Sequence, residues 1–194
     1  MSKKKIQAFI HFNWYWYLLI VILMCFIFYS IFDIAKKPSY DERIVVFVGI
    51  KYIDSDEMEE VMMLENTEIR EIFVDFSDPN DMYFSTTFST RGLIDSDILI
   101  LSEEELNRHE YEDMFAAIEA DYIEGYIDGD INYLYGSNNE IYGIEVTNQI
   151  NEFASELTGK YYAVFSKDSN KVGKINDETN NDYAVLAFAK LFGE

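Results

Sequence analysis

The chain reads as an α/β domain with a mostly parallel sheet and flanking helices, carried behind one N-terminal transmembrane helix. Three observations predict this: a charge-free apolar run near the N-terminus, four short runs of nearly continuous apolar residues, and helical stripes between and after them. The 194 residues suffice for one domain plus an appendage, because single cores usually hold about 100 to 200 residues.

The apolar run is "WYWYLLIVILMCFIFYSIF", nineteen residues from Trp14 to Phe32. At about 1.5 Å per residue a helix of that length approaches the ~30 Å of a bilayer core. Trp14, Tyr15, Trp16 and Tyr17 mark one end and Phe28, Tyr29 and Phe32 the other, where amphipathic rings favour the headgroup level. A cleavable signal would carry an apolar stretch of only ~7 to 15 residues followed by small residues, so the run predicts an uncleaved anchor. Bulky Met24 before Cys25 argues against a lipid-modified cysteine.

Orientation follows from charge. Lys3, Lys4 and Lys5 precede the span, against Lys36 and Lys37 after it, and cytoplasmic flanks tend to carry the excess of Lys and Arg. Residues 33–194 hold 12 basic residues against all 36 acidic ones, a net charge of −24. Such a charge excludes nucleic acid and anionic lipid as partners. The segment contains no cysteine, so no disulfide stabilises it. The expected organisation is a cytoplasmic N-terminus (1–13), a transmembrane helix (14–32), a polar stalk (33–43) and an extracellular α/β domain (44–194), in a single-pass protein of the cell membrane.

Within that domain "IVVFVG" (44–49), "IFVDF" (72–76), "ILIL" (98–101) and "YYAVF" (161–165) have the composition of central strands covered on both faces. Met58, Val61 and Met62 predict a short helix. Asp78 and Pro79 are placed as the N-cap and first-turn residue of another. Three further stripes repeat at i, i+3, i+4, i+7: Tyr111 to Ile118, Ile150 to Leu157, and Val185 to Phe192. Strands alternating with helices predict a largely parallel sheet.

Chemistry-bearing patterns are sparse. Asp128, Asp130 and Asn132 open like a calcium loop, but Tyr133 stands where Gly is required and Asn139 where Glu is required, so a polar turn between strands is the better reading. With His11 and His109 as the two histidines, no zinc pattern can be built. No set of acid, base and nucleophile can be named, and no metal, cofactor or catalytic residue is expected. In open parallel sheets ligands sit beyond the carboxyl ends of the strands. That rule points to Lys51 and Tyr52 after the first strand, Ser102 and Glu103 after the third, and Tyr142 further on. Ser102 equally suits a helix cap, with Glu105 three residues later.

The segment "RGLIDSDILILSEEELNRHEYEDMFAAIEADYIEGYIDGDINYLYGSNNEIYGIEV" resembles the first lobe of the extracellular solute-binding proteins that feed ABC importers. "YYAVFSKDSNKVGKINDETNNDYAVLAFAKLF" is similar to the family segment in which a strand ends in a polar loop before a helix. The resemblance implies that "YGI" (142–144) approaches an interlobe hinge and that Tyr52, Ser102, Glu103 and Tyr142 rim a ligand cleft. Only fourteen residues separate Val146 from Tyr161, room for one helix. The implied fold is therefore a single periplasmic-binding-protein-like lobe.

The expected function is a membrane-anchored extracellular binding or accessory module, not an enzyme, that takes a small-molecule ligand weakly and touches the lipid bilayer through residues 14–32. The rival expectation is a structural or assembly component of a bacterial envelope complex, engaging a membrane-protein partner and no small molecule. Protease added to intact cells should remove the domain and leave the N-terminus protected, as read by antibodies to tags at either end. Protection of the domain until lysis would reverse the orientation.

Overall fold

The computed structural model describes residues 3–108, 111–127, 129–155, 157–173 and 181–193. They form two compact units, Met1–Ser39 and Tyr40–Glu194. The first unit is one helix, α1 (Lys3–Lys36). Its stretch Trp14–Lys36, with mean hydropathy 2.6, is long and apolar enough to cross a membrane. Within this run the Ser30 hydroxyl donates to the Phe26 carbonyl at 2.9 Å, so its polar group is satisfied inside the helix. Pro38 then bars helical continuation.

The second unit runs β1 (Arg43–Val48), α2 (Ser55–Met62), β2 (Glu71–Phe76), then a helical stretch made of α3 (Phe84–Thr87), a π turn (Phe88–Gly92) and α4 (Leu93–Asp95). There follow β3 (Ile98–Ser102), α5 (Glu103–Arg108), α6 (Tyr111–Met114), α7 (Ala120–Ile123), the hairpin β4 (Tyr133–Tyr135) and β5 (Ile141–Glu145), α8 (Thr147–Ile150), β6 (Tyr161–Phe165) and α9 (Tyr183–Ala189).

The sheet is mixed rather than mostly parallel in its pairing. Its order is β2-β1-β3-β6-β5-β4. β1 pairs with β2 and β3 in parallel, while β6 is antiparallel to both β3 and β5, and β4 is antiparallel to β5. β6, the last strand in sequence, is thus inserted between β3 and β5. Its five apolar residues are all buried, as its continuous run requires. β2, by contrast, lies at the edge, and Phe73 and Phe76 are partly exposed there. Its backbone is not bare: Glu59 of α2 reaches over and accepts from the Val74 N–H at 2.8 Å. Burial pushes the Glu59 carboxyl above its usual pKa, the Val74 N–H opposing that rise.

Alternate residues of the strands build two cores. On one face Ile44, Val46, Val48, Ile98 and Ile100 pack with Met58 and Met62 of α2 and Val185 and Phe188 of α9. On the other, Phe47, Leu99, Leu101 and Val164 pack with Phe84 and Phe88, whose rings stack at 5.9 Å. The two helical stripes predicted at 111–118 and 150–157 are shorter than expected. α6 ends at Met114, and Phe115 and Ile118 instead bridge to Ser166 and Ile141. α8 lies earlier, at 147–150, and breaks into turns after Ile150. Phe115, Ile118, Ile150 and Phe153 are buried, while Met114, Ala154 and Leu157 are half-buried. Asp78 caps no helix: its carboxylate accepts from the Asn80 N–H at 2.9 Å, folding a local turn.

"YGI" lies in the middle of β5, where Gly143 pairs with Leu134 on one side and Val164 on the other. A Cβ on Gly143 would stand 3.1 Å from both the Ala163 carbonyl oxygen and Val164 Cγ1. The glycine lets β6 approach closely, and the tripeptide is a strand centre rather than a hinge.

Among the polar residues, Asp97 and Lys171 are buried together, with side-chain exposures of 0% and 1%. The Lys171 ammonium lies 3.2 Å and 3.1 Å from the two carboxylate oxygens. Asp97 also accepts from the Val45 N–H at 2.9 Å and from the Ser169 hydroxyl at 2.7 Å. A second carboxylate, Asp182 ahead of α9, accepts from the hydroxyls of Tyr122 and Tyr126. Burial and then Asp182 push the Tyr126 phenol up to about 12 and that of Tyr122 higher still.

Removing one partner of a buried pair strands the other charge, which typically costs about 3–5 kcal/mol, whereas replacing both with apolar residues is often neutral. Asp97→Ala should therefore lower the unfolding free energy by about 3–5 kcal/mol in denaturant titration. The joint change Asp97→Leu with Lys171→Met should cost far less.

Candidate ligand cleft

Because β6 runs against β1, β2 and β3, its amino end lies at the same edge of the sheet as their carboxyl ends. The segments leaving or entering those four strands enclose a cleft of about 560 Å³. After β1 come Ile50, Lys51 and Tyr52; after β2, Asp78, Pro79 and Asn80; after β3, Ser102 and Glu103 leading into α5; before β6, Thr158, Gly159 and Lys160.

The structure brings together Tyr52, Ser102 and Glu103, three of the residues the sequence points to. Tyr52 is 59% exposed on the rim, edge-on to Phe76 with ring centroids 6.5 Å apart. Ser102 caps α5: its hydroxyl accepts from the Glu105 N–H at 3.2 Å. The Glu103 N–H donates to the Lys160 carbonyl at 2.9 Å, tying α5 to the entry of β6 and leaving its carboxylate at the cleft. Tyr142 stands elsewhere. It is buried in β5, its ring packed on Gly136, its hydroxyl accepting from Asn138 Nδ2 at 3.1 Å and donating to Glu140 at 3.1 Å. It does not line the cleft.

The cleft lining carries charges of both signs. Arg108 is held by Glu104 and by Glu105, the latter with a side-chain exposure of 5%. Lys160 bonds Glu145 at 3.0 Å, which raises its pKa above the usual lysine value. Burial, and then the charge of Asp78, raise the Tyr161 phenol pKa at the cleft floor. That leaves Lys51 as the lining cation with no salt bridge to a carboxylate among the described residues, in a lining that also holds Glu103 and Asp78. The arrangement suits a polar ligand that both donates and accepts hydrogen bonds, with an apolar side against Tyr52.

Asp78, Asn80, Thr158 and Lys160 were missed in the sequence. The first two follow the carboxyl end of β2, so the strand-end rule would have reached them. The others depend on β6 being antiparallel, which no local pattern announces.

Asp128 and His109 lie outside the described residues. Asn138, Asn139 and Glu140 close the β4–β5 hairpin, with Asn139 at φ 64° and the Gly136 N–H bonded to the Glu140 carbonyl at 2.9 Å. Glu112 braces that turn from α6, accepting from the Ser137 N–H at 2.6 Å and hydroxyl at 2.7 Å, which hold its pKa below the usual glutamate value. This is the polar turn between strands. Among the described residues no group of three or more side chains is placed to hold a metal ion. Comparison with protein-family models, curated proteins and solved structures finds no match to this chain.

Ser102→Ala removes the α5 cap and should cost about 1 kcal/mol of stability in denaturant titration. A cost near zero would mean that Ser102 does not cap α5.

Proposed function

We propose that this chain is a membrane-anchored binding or accessory module. α1 spans the cell membrane once, with the N-terminus cytoplasmic, and the acidic α/β unit stands outside a bacterial cell as a single lobe similar to one half of an ABC-importer solute-binding protein. The observation that carries the reading is the cleft at the strand ends, with Tyr52, Ser102, Glu103 and an uncommitted Lys51 on its walls. Its size matches the ~300–1,000 Å³ of small-molecule sites. As a single lobe without a second to close over it, the cleft would deny a ligand the enclosure that normally buries about 70–90% of its surface.

A second reading, a structural or assembly component of an envelope complex with no small-molecule ligand, draws on Met82 and Tyr83. These side chains are 83% and 65% exposed, the kind of apolar display that a protein partner covers.

Calorimetry of the full chain in lipid nanodiscs against sugars, amino acids and short peptides separates the two. The first reading expects a ligand in the micromolar-to-millimolar range, about −4 to −8 kcal/mol. Lys51→Ala, removing a charged hydrogen bond, should weaken it about tenfold. A nanomolar solute bound by the monomer would refute the open-walled cleft. Absence of binding across all three classes would favour the assembly role.

A further inference from the structure

Tyr40, Asp41 and Glu42 form a single 3-10 turn between the end of α1 and the start of β1. Each of the three makes a different attachment. The Glu42 carbonyl accepts from the Arg70 N–H at 2.7 Å, just before β2, and its carboxylate lies 3.5 Å from the Arg70 guanidinium. Asp41 accepts from Asn170 Nδ2 at 3.2 Å, in the loop after β6. The Tyr40 ring covers the Lys171 ammonium, with Nζ 3.9 Å from the ring centroid.

The third contact closes the buried ion pair. Asp97 holds the inner side of the ammonium, and the π face of Tyr40 takes its outer side, a desolvated geometry in which a cation–ring contact is at its strongest. Lys171 is 1% exposed while Tyr40 is 45% exposed. The ring is therefore a lid, with water on one side and the ammonium on the other. Burial, followed by the charge of Asp97, raises the phenol pKa, consistent with a ring seated on the network.

We propose that the 40–42 turn is a latch: it holds the segment leading from α1 onto the α/β unit by closing the buried Asp97–Lys171 pair. Displacing that segment lifts the ring and admits water to the pair. The latch does not rest on the reading of the cleft.

The test is acylation of the full chain in phospholipid nanodiscs by a water-soluble N-hydroxysuccinimide ester, mapped by peptide mass spectrometry, with exposed Lys51 as internal reference and circular dichroism to confirm folding. In the unaltered chain and in Tyr40→Phe, Lys171 should react at least about tenfold more slowly than Lys51. In Tyr40→Ala its rate should rise about tenfold, the scale of losing a desolvated cation–ring contact. Equal protection in folded Tyr40→Ala and in the unaltered chain overturns the latch, as does rapid Lys171 labelling in the unaltered chain. Should Tyr40→Ala not fold, Asn170→Ala decides alone, since it loosens the turn from outside the core: a faster Lys171 supports the latch and an unchanged one overturns it.

Discussion

The buried pair of Asp97 and Lys171 is the contact on which the connectivity of the α/β unit depends. Asp97 stands just before β3, accepts from the Val45 N–H of β1, and through Ser169 and Lys171 grips the loop that follows β6. Its carbonyl also accepts from the Ser166 N–H at 3.1 Å. One carboxylate thus ties the parallel half of the sheet to the strand that returns through its middle. Apolar packing alone would hold β6 in the sheet but would not select its register, because β6 is buried along its whole length and a slipped pairing would still bury it. A charge that finds its partner in one alignment makes that selection.

The cleft is a consequence of the same insertion. A fourth parallel strand beside β3 would present its carboxyl end at the cleft and need a crossover to reach its place. An antiparallel β6 presents its amino end instead, so Gly159 and Lys160 arrive at the cleft as the chain enters the strand. Lys160 is steadied there by Glu145 at the end of β5, and its carbonyl in turn fixes the start of α5. Tyr52 and Lys160, distant in sequence, therefore line one cleft.

Much of this architecture was legible in the sequence. The runs at 44–49, 72–76, 98–101 and 161–165 became β1, β2, β3 and β6 because continuous burial favours β-branched and aromatic residues, which the composition displays. A polar turn between strands was read in this stretch, but β4 and β5 themselves were not, since their residues mix Tyr, Gly and Glu with no alternation, and the register shifts between Leu134 and Tyr135. The stripe at 111–118 misled because helical spacing and burial against strand ends place apolar residues at the same positions. Three of the four site residues could be named from the strand-end rule alone. The same rule also pointed to Tyr142 and misplaced it, since Tyr142 lies inside β5, whose direction and neighbours are set by contacts with β6, some twenty residues away.

The carboxylate of Glu59 on the Val74 N–H has a consequence beyond the monomer. An outermost strand with free N–H groups is a template on which another chain can pair, and natural sheets commonly blunt such rims with charge. If this protein is confined to a bilayer, its copies diffuse in two dimensions at high local concentration, where strand-to-strand zippering would be most damaging. An incoming strand at β2 must first dislodge an anion already seated in the hydrogen-bonding position, then bury its own backbone beside it. The Val74 position of this rim is thereby closed to strand pairing.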